Sequence, residues 1–441
     1  MSETSTAAVV LAAGLGTRMR SAVPKHLHTL LGRRMVDWVI AAAASAGADR
    51  VVVVSSPDSR RAFEGFEVAV QEKPLGTGDA ARAAHGALHD FEGDVLLLSG
   101  DVPGLTEETL RSLLETHRAE HASATVLSFE PPDTRSYGRI VRDAGGRLAR
   151  IVEARDASPD ELALTEVNSG IYVFKAEKLW PVLERLEPKN AQGELYVTDT
   201  LGFLVADGEP VAVHVAADPF EVEGINTRDE LAANAAVLRD RINKAHMLAG
   251  VTIVDPATTW IDPDVLIEPD VTVHPFVVLR GSTKIATGAE IHSQSVIVDA
   301  EVGPGAMVGP FCYLRPGTVL AAESKAGSFV EIKNSRIGTG AKVPHLSYIG
   351  DAEVGEGSNV GAGAITANFP HRPGQPKGRT KIGKNVRTGI QNGFIAPVEV
   401  GDGAWTAAGT TVTKDVPADA LAIARTRQEN KEGYAARHRD D

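Results

Sequence analysis

From Gly250 onward, aliphatic residues recur every six positions. Ile261, Ile267, Val273, Leu279, Ile285, Ile291 and Ile297 keep this spacing, and after a five-residue step it resumes at Val302, Val308, Leu314 and Leu320. Ile337, Val343 and Ile349 continue it, followed by Val354 and Val360. After an irregular loop, Ile382, Thr388, Phe394, Val400, Thr406 and Val412 return to register. A helix repeats at about 3.6 residues and a half-buried strand at about two, so neither generates this period. A prism does: three short strands per turn, each pointing one side chain inward, with small residues or Gly at the corners. The spacing predicts a hexapeptide-repeat parallel β-helix over residues 250–427. Prisms of this type associate through their flat faces, so a homotrimer is expected.

The first half is built differently. Short β-rich runs (Ala8–Leu11, Val51–Val54, Val95–Leu98, Thr125–Phe129, Ile171–Phe174, Val211–Val215) alternate with helical stretches near Val36–Ala46, Asp79–His89, Glu107–His121, Ala176–Arg185 and Val197–Asp207. Such alternation implies an α/β, Rossmann-like unit over residues 1–227, with a mainly parallel sheet covered on both faces. Its ligands belong beyond the carboxyl ends of the strands. Residues 228–249 lack Pro and have no Gly, and Leu231, Ala235, Leu238, Ile242 and Ala245 form one helical stripe. This segment reads equally as a connecting arm or as the last helix of the first unit. Residues 428–441 mix charges and read as a mobile tail.

Composition excludes several functions. The 441 residues carry 45 Lys and Arg against 58 Asp and Glu, a net charge of −13. That argues against nucleic-acid or anionic-membrane partners and leaves phosphate binding to local basic groups. No apolar run reaches the roughly 18 residues of a membrane span, and the amino terminus reads as a strand, not a signal peptide. Cys312 is the single cysteine, so neither an intrachain disulfide nor a cysteine zinc site can form. A cytoplasmic protein is the simplest expectation. His117, Glu120 and His121 match the H-x-x-E-H pattern, but as the polar end of a helix with no third ligand in view.

Candidate chemistry begins at Leu11-Ala12-Ala13-Gly14, where a strand runs into a Gly-containing loop followed by Arg18 and Lys25. The segment lacks the GK[ST] of a P-loop, and Met19 stands at the last glycine of a dinucleotide fingerprint. It offers backbone N–H groups plus one forked and one point-like cation, which suits a polyanion. Gly76-Thr77-Gly78-Asp79 is a second Gly-rich turn, with Gln71 upstream. Gly100-Asp101 and Gly224-Ile225-Asn226 each close a strand with an oxygen ligand. Mg²⁺ takes one or two such oxygens together with water and substrate phosphates, which fits Asp101 and Asn226.

The motifs LGTRMRSAVPKHLHTLLG, LGTGDA, GDVPGLT, YGRIV, IVEARDAS, EVNSGIYVF and FEVEGINTR, in that order, resemble the bifunctional GlmU family. These enzymes join an N-acetylglucosamine-1-phosphate uridyltransferase to a glucosamine-1-phosphate N-acetyltransferase. The resemblance spans nearly the whole chain. It implies an α/β nucleotidyltransferase domain followed by a left-handed parallel β-helix acetyltransferase domain. The implied product is UDP-N-acetylglucosamine for cell-envelope precursors such as peptidoglycan, from UTP, acetyl-CoA and sugar 1-phosphates, with Mg²⁺. It further implies that Leu11, Ala12, Ala13, Gly14, Gln71, Gly76 and Thr77 hold the uridine end, with Gly100 beside Asp101. Arg18 and Lys25 would bind phosphates, Asp101 and Asn226 the metal, and Gly138, Glu153 and Asn168 the N-acetylglucosamine. Ser99 departs from the family's Tyr.

In the repeat region, Arg315 and Lys333 can meet a sugar phosphate, and His345 has the intrinsic basicity for proton abstraction near neutrality. The local match to the family's Gly-His-Leu-(Ser/Thr)-Tyr segment implies that His345 is the base and that Tyr348 and Asn359 contact the acceptor. It also implies that Ala362, Asn368, Phe369, Ile390, Ala408 and Arg425 lie on the coenzyme A side. Three departures bear on this activity. Asn368-Phe369-Pro370-His371 replaces Asn-Tyr-Asp-Gly, a loop stiffened by prolines follows, and Ile390 stands in place of a serine. Removing buried polar contacts in this way costs about 1–3 kcal/mol, so a slow acetyltransferase, or one with another acyl donor or acceptor, is expected. Two rival readings stay open: a nucleotidyltransferase whose prism only trimerises or regulates, and a non-enzymatic scaffold of the same architecture. The presence of Arg18, Lys25, Asp101 and Asn226 together speaks against the scaffold.

Overall fold

A computed structural model describes residues 4–14, 16–134, 137–370 and 374–439; His371, read above as part of a departure, lies outside them. The chain divides into two units, residues 1–236 and 237–441, with the division inside the helix Arg228–Leu248.

Among the described residues of the first unit, nine strands form one sheet: β1 (Thr6–Ala12), β2 (Arg50–Ser55), β3 (Glu67–Val70), β4 (Asp94–Ser99), β5 (Ala124–Phe129), β6 (Arg139–Arg142), β7 (Leu148–Val152), β8 (Val167–Lys175) and β9 (Val211–Val215). The spatial order is β9-β5-β8-β4-β1-β2-β3, with the β6–β7 hairpin attached through β8. Pairings from β4 through β3 are parallel, as is β5 with β9. The sheet is nonetheless mixed, because β8 runs antiparallel to both β4 and β5. Its sequence alternates no differently from that of its neighbours, so strand direction was not readable. Alternation sorts the core: Ala7 and Val9 face one layer with Ala80, Ala84, Leu179 and Leu201, whereas Ala8 and Val10 face the other with Val36, Val39, Leu110 and Leu113. The connection from β1 leads to β2 on one side, while β3 returns to β4 on the other. Strand order therefore reverses between β1 and β4, where the carboxyl ends leave a crevice.

The second unit is a left-handed parallel β-helix with three sheets of six, nine and eight short strands, and a two-stranded pair of Trp405–Thr406 with Leu421–Ala422, among its described residues. Ile261, Val273, Leu279, Ile291, Val308, Leu314, Ile337, Val343, Ile349 and Val400 point inward and are fully shielded. Two rungs absent from the sequence pattern restore continuity. Ala326 and Ile332 are buried between Leu320 and Ile337, in register with Val308 and Leu314. Thr366 extends the Val354–Val360 series, its hydroxyl satisfied by the Gly350 backbone at 2.7 and 3.0 Å. Residues with positive φ, such as Gly288, Gly305 and Glu323, stack at one corner. The helical stripe is only partly apolar in fact. Leu238 is buried and Ile242 packs on the prism core, but Ala245 is exposed. The buried Asn243 instead donates to the carbonyls of Pro256 and Thr259, both at 2.9 Å.

Candidate active sites

The strand-end crevice is a cleft of about 440 Å³. Leu11, Ala12, Ala13, Gly14, Lys25, Gln71, Gly76, Thr77, Gly100 and Asp101 line it, as expected residues; Gly16, His26, Ser99 and Glu194 join them without having been singled out for it. Register explains the convergence: Leu11 pairs with Ser99 across β1 and β4, and Gly100 N–H donates to Leu11 O at 2.9 Å. A Cβ at Gly100 would stand 2.8 Å from that same oxygen. Gly76 adopts φ +117°, and a Cβ there would lie 2.5 Å from Leu195 O, so only glycine carries the second turn past its neighbour. Gln71 Nε2 donates to Gly76 O and Asp79 Oδ2, both at 3.0 Å.

One cation knits one end of the cleft together. Lys25 Nζ forms an ion pair with Asp101 and donates to Asn226 Oδ1 at 3.1 Å; Arg18 reaches the same Asn226 oxygen at 2.8 Å. The loop after β9 is held there because Ile225 N–H donates to Asp101 O at 2.9 Å. Burial works against ionisation of Asp101. The Lys25 charge and hydrogen bonds from Lys25 and Ser99 overcome it, keeping the carboxyl below its usual range. Ser99 Oγ donates at 2.7 Å, a role the sequence did not suggest. The buried His26 is depressed by desolvation to about 4 and is neutral near pH 7.

Gly138, Glu153 and Asn168 do not line the cleft but cluster with one another. Asn168 N–H donates to Gly138 O at 2.9 Å, and a Cβ on Gly138 would lie 3.4 Å from Glu153 Oε1. Burial raises Glu153 above the usual range; a hydrogen bond from Thr198 opposes this, and the charges of Asp199, Asp156 and Glu194 reinforce it. The H-x-x-E-H segment is structural. His117 is buried with Nδ1 2.8 Å from Thr125 Oγ1 and Nε2 3.5 Å from Asp94, and His121 sits past the helix end with φ +51°.

On the prism, Arg315, Lys333 and Tyr348 fall on the outer face of the nine-stranded sheet. Tyr348 pairs with Glu331, Lys333 with Gly350, and Arg315 N–H donates to Ile332 O at 2.8 Å. Gly350 is glycine for a reason, since a Cβ would stand 2.3 Å from the Tyr348 hydroxyl. His345 ends a strand of the six-stranded sheet, one residue before the corner at Leu346 (φ +49°). The exposed His345, Ile390 and Ala408 and the half-buried Ala362 climb this edge coil by coil: Gly363 N–H reaches His345 O, Gln391 N–H reaches Ala362 O at 2.7 Å, and Gly409 N–H reaches Ile390 O at 2.9 Å. Asn359 bridges the coils of Lys342 and Arg387. Arg425 is exposed after the last strand.

Two findings revise expectation here. Phe369 is 77% exposed and Ile390 54%, so neither departure removes a contact buried within the chain, and the cost assigned above to lost buried polar contacts does not arise inside the chain. Asn368 is buried, donating to Asp351, which also accepts from Asn334 at 2.5 Å. Lys377, in the long loop, had not been singled out. It stands beside Lys333, whose hydrogen bond to the neutral Lys377 amine and whose charge both lower the Lys377 pKa. Cys312 is buried, and desolvation pushes its thiol up to about 12, unsuited to acyl transfer.

A crevice at a strand-order reversal, lined by two Gly-rich turns and followed by a left-handed β-helix, defines a nucleotidyltransferase joined to a hexapeptide-repeat unit. Residues 8–195 match the MobA-like NTP transferase domain. The chain is 46% identical to Bifunctional protein GlmU of Trichlorobacter lovleyi, with 99% of each chain covered. It is 45% identical to the protein of that name from Corynebacterium efficiens (99% of this chain, 95% of the relative) and 47% to that of Streptomyces coelicolor (98% and 94%). The chain belongs to the bifunctional GlmU family.

Proposed function

We propose that this chain makes UDP-N-acetylglucosamine by two transfers: acetyl from acetyl-CoA to glucosamine 1-phosphate, then uridylyl from UTP to N-acetylglucosamine 1-phosphate. We assign uridylyl transfer to residues 1–227 and acetyl transfer to 250–427, with 228–249 connecting them and 428–441 as a tail. The observation that carries the reading is the convergence of Lys25, Asp101, Asn226 and Arg18 at one end of the first cleft.

Uridylyl transfer requires no protein nucleophile. A sugar-phosphate oxygen forms a bond to the α-phosphorus of UTP as the bond to pyrophosphate breaks. Lys25 and Arg18 neutralise the charge that accumulates on the phosphates, and the two Gly-rich turns fix the nucleotide for in-line attack. Gly138, Glu153 and Asn168 take the N-acetylglucosamine. The residues fit Mg²⁺: the Asp101 and Asn226 oxygens already close around one cationic atom, Lys25 Nζ. A bound Mg²⁺ supplies charge neutralisation on the phosphate oxygens.

In the second reaction His345 removes a proton from the acceptor ammonium, and the free amine attacks the thioester carbonyl as the C–S bond breaks. Arg315, Lys333 and Lys377 face the sugar phosphate; Tyr348 and Asn359 position the acceptor. Ala362, Asn368, Phe369, Ile390, Ala408 and Arg425 form the coenzyme A side. The flat prism faces support a homotrimer, and the reading carries a cytoplasmic location, where UTP and acetyl-CoA are made. Incubation with glucosamine 1-phosphate, acetyl-CoA, UTP and Mg²⁺, followed by mass analysis, tests it. His345→Ala should abolish acetyl-CoA consumption and leave uridylyl transfer intact; full consumption by this variant would refute the assignment.

A further inference from the structure

His274, Glu290 and His292 lie far in sequence from every candidate site residue named above, yet their donor atoms all fall within 4.8 Å of one another, the one such group of three among the described residues. Thr272-Val273 pairs with Glu290-Ile291 on the next coil. Val273 and Ile291 point inward, so the residues flanking each project from the outer face. Coil stacking lays the His274 and His292 rings parallel, with centroids 4.9 Å apart and planes 14° from each other. Glu290 uses both oxygens between them: Oε1 is 2.9 Å from His274 Nε2, and Oε2 is 3.8 Å from His292 Nε2. All three are partly exposed, with side-chain exposures of 29%, 40% and 27%.

We propose that these residues form a binding site for a borderline divalent transition ion, of which Zn²⁺ is the type. The geometry argues for a metal over a simple ion pair because one atom from each of two imidazoles and a carboxylate lies within 4.8 Å of the other two. An ion pair needs only one imidazole, and a stacked histidine ladder needs no carboxylate. Two imidazoles and one carboxylate form a set that binds Zn²⁺ with an open position and discriminates against Mg²⁺ and Ca²⁺. Because the ligands come from successive coils, the ion cross-links the prism near its amino-terminal end.

The test uses tag-free, chelator-stripped full-length protein titrated with Co²⁺ and then Zn²⁺. Wild type is expected to take up one Co²⁺ per chain with the intense visible ligand-field bands of nitrogen-containing coordination below six, displaced by Zn²⁺. His274→Gln/His292→Gln should abolish these bands and weaken Zn²⁺ binding at least 10-fold. Glu290→Gln, which keeps both imidazoles, should weaken it by a smaller factor. Zn²⁺ in 100-fold excess over its Kd should raise the thermal midpoint of the wild-type prism by roughly 5 °C and leave that of the double variant unmoved. Mg²⁺-supported uridylyl transfer should be equal in all three proteins, which separates this site from Asp101 and Asn226. Equal Zn²⁺ affinity in wild type and double variant, or only the weak spectrum of six-coordinate Co²⁺, would overturn the proposal.

Discussion

Ser99 Oγ donates a 2.7 Å hydrogen bond to Asp101 Oδ1, across the glycine that closes β4. A tyrosine, the residue that the resemblance implies here, could not make this contact from the same Cβ, so serine gives Asp101 a local donor. Ser99→Ala should shift the acid limb of the uridylyl-transfer pH profile upward, because Asp101 loses one of the contacts that keep its pKa low. A hydrogen bond to a charged group contributes about 1.5–3 kcal/mol when shielded. At this partly solvated position a loss of roughly threefold to tenfold in kcat/KM is expected, and an unchanged profile would exclude the role.

Lys25→Ala and Arg18→Ala should each lower pyrophosphate release by orders of magnitude while circular dichroism and the thermal midpoint stay near wild type. In the proposed mechanism both side chains act on phosphate charge, and neither is part of the sheet core. Near-normal turnover in either variant would remove that residue from the mechanism.

Lys377 and Lys333 are like charges held together beside the carboxylate of Asp351, which offsets their repulsion only in part; an incoming phosphate would relieve the rest. Lys377→Ala should raise KM for glucosamine 1-phosphate about tenfold, the worth of one charge-assisted hydrogen bond, with kcat little changed. Steady-state acetyl-transfer kinetics read the split directly. An effect on kcat alone would place Lys377 elsewhere in the reaction.

Asp94 is buried at the start of β4. Desolvation opposes its charge, but hydrogen bonds from His117 and Arg118 (2.8 Å) win and keep its pKa below the ordinary carboxylate value. A depressed folded pKa means that the unfolded chain binds protons more readily in acid. The stabilisation is therefore present above the unfolded value and is lost as pH falls through the folded one. Denaturant titrations should show stability falling as pH drops through and below the ordinary carboxylate range. Asp94→Asn should cost about 1–3 kcal/mol at pH 7 and flatten this dependence.

Legibility tracked the range of the interactions. Val273, Ile291 and Val308 announce the prism because burial repeats with the coil, a regularity written locally; Ala326 and Thr366 hide the same rung, since a small or hydroxylated side chain carries no hydropathic signal. The Gly-rich turns at Gly14 and Gly76 were visible because backbone freedom is a property of the residue itself. Lys377 was not, since its role comes from a loop folding back beside Lys333. Ser99 read only as a departure from tyrosine; its bond to Asp101 was not legible, because its partner is fixed by geometry.

By itself, the sequence determined the two architectures and the residue types able to manage phosphate charge, since periodicity and side-chain chemistry are short-range. Tertiary structure alone decided the reversed direction of β8, the meeting of Lys25 with Asp101 and Asn226, and the convergence of His274, Glu290 and His292. Each depends on which strands or coils become neighbours, and neighbourhood across 76 or 201 residues, as for Lys25 and its two partners, is set by the packing of the whole sheet.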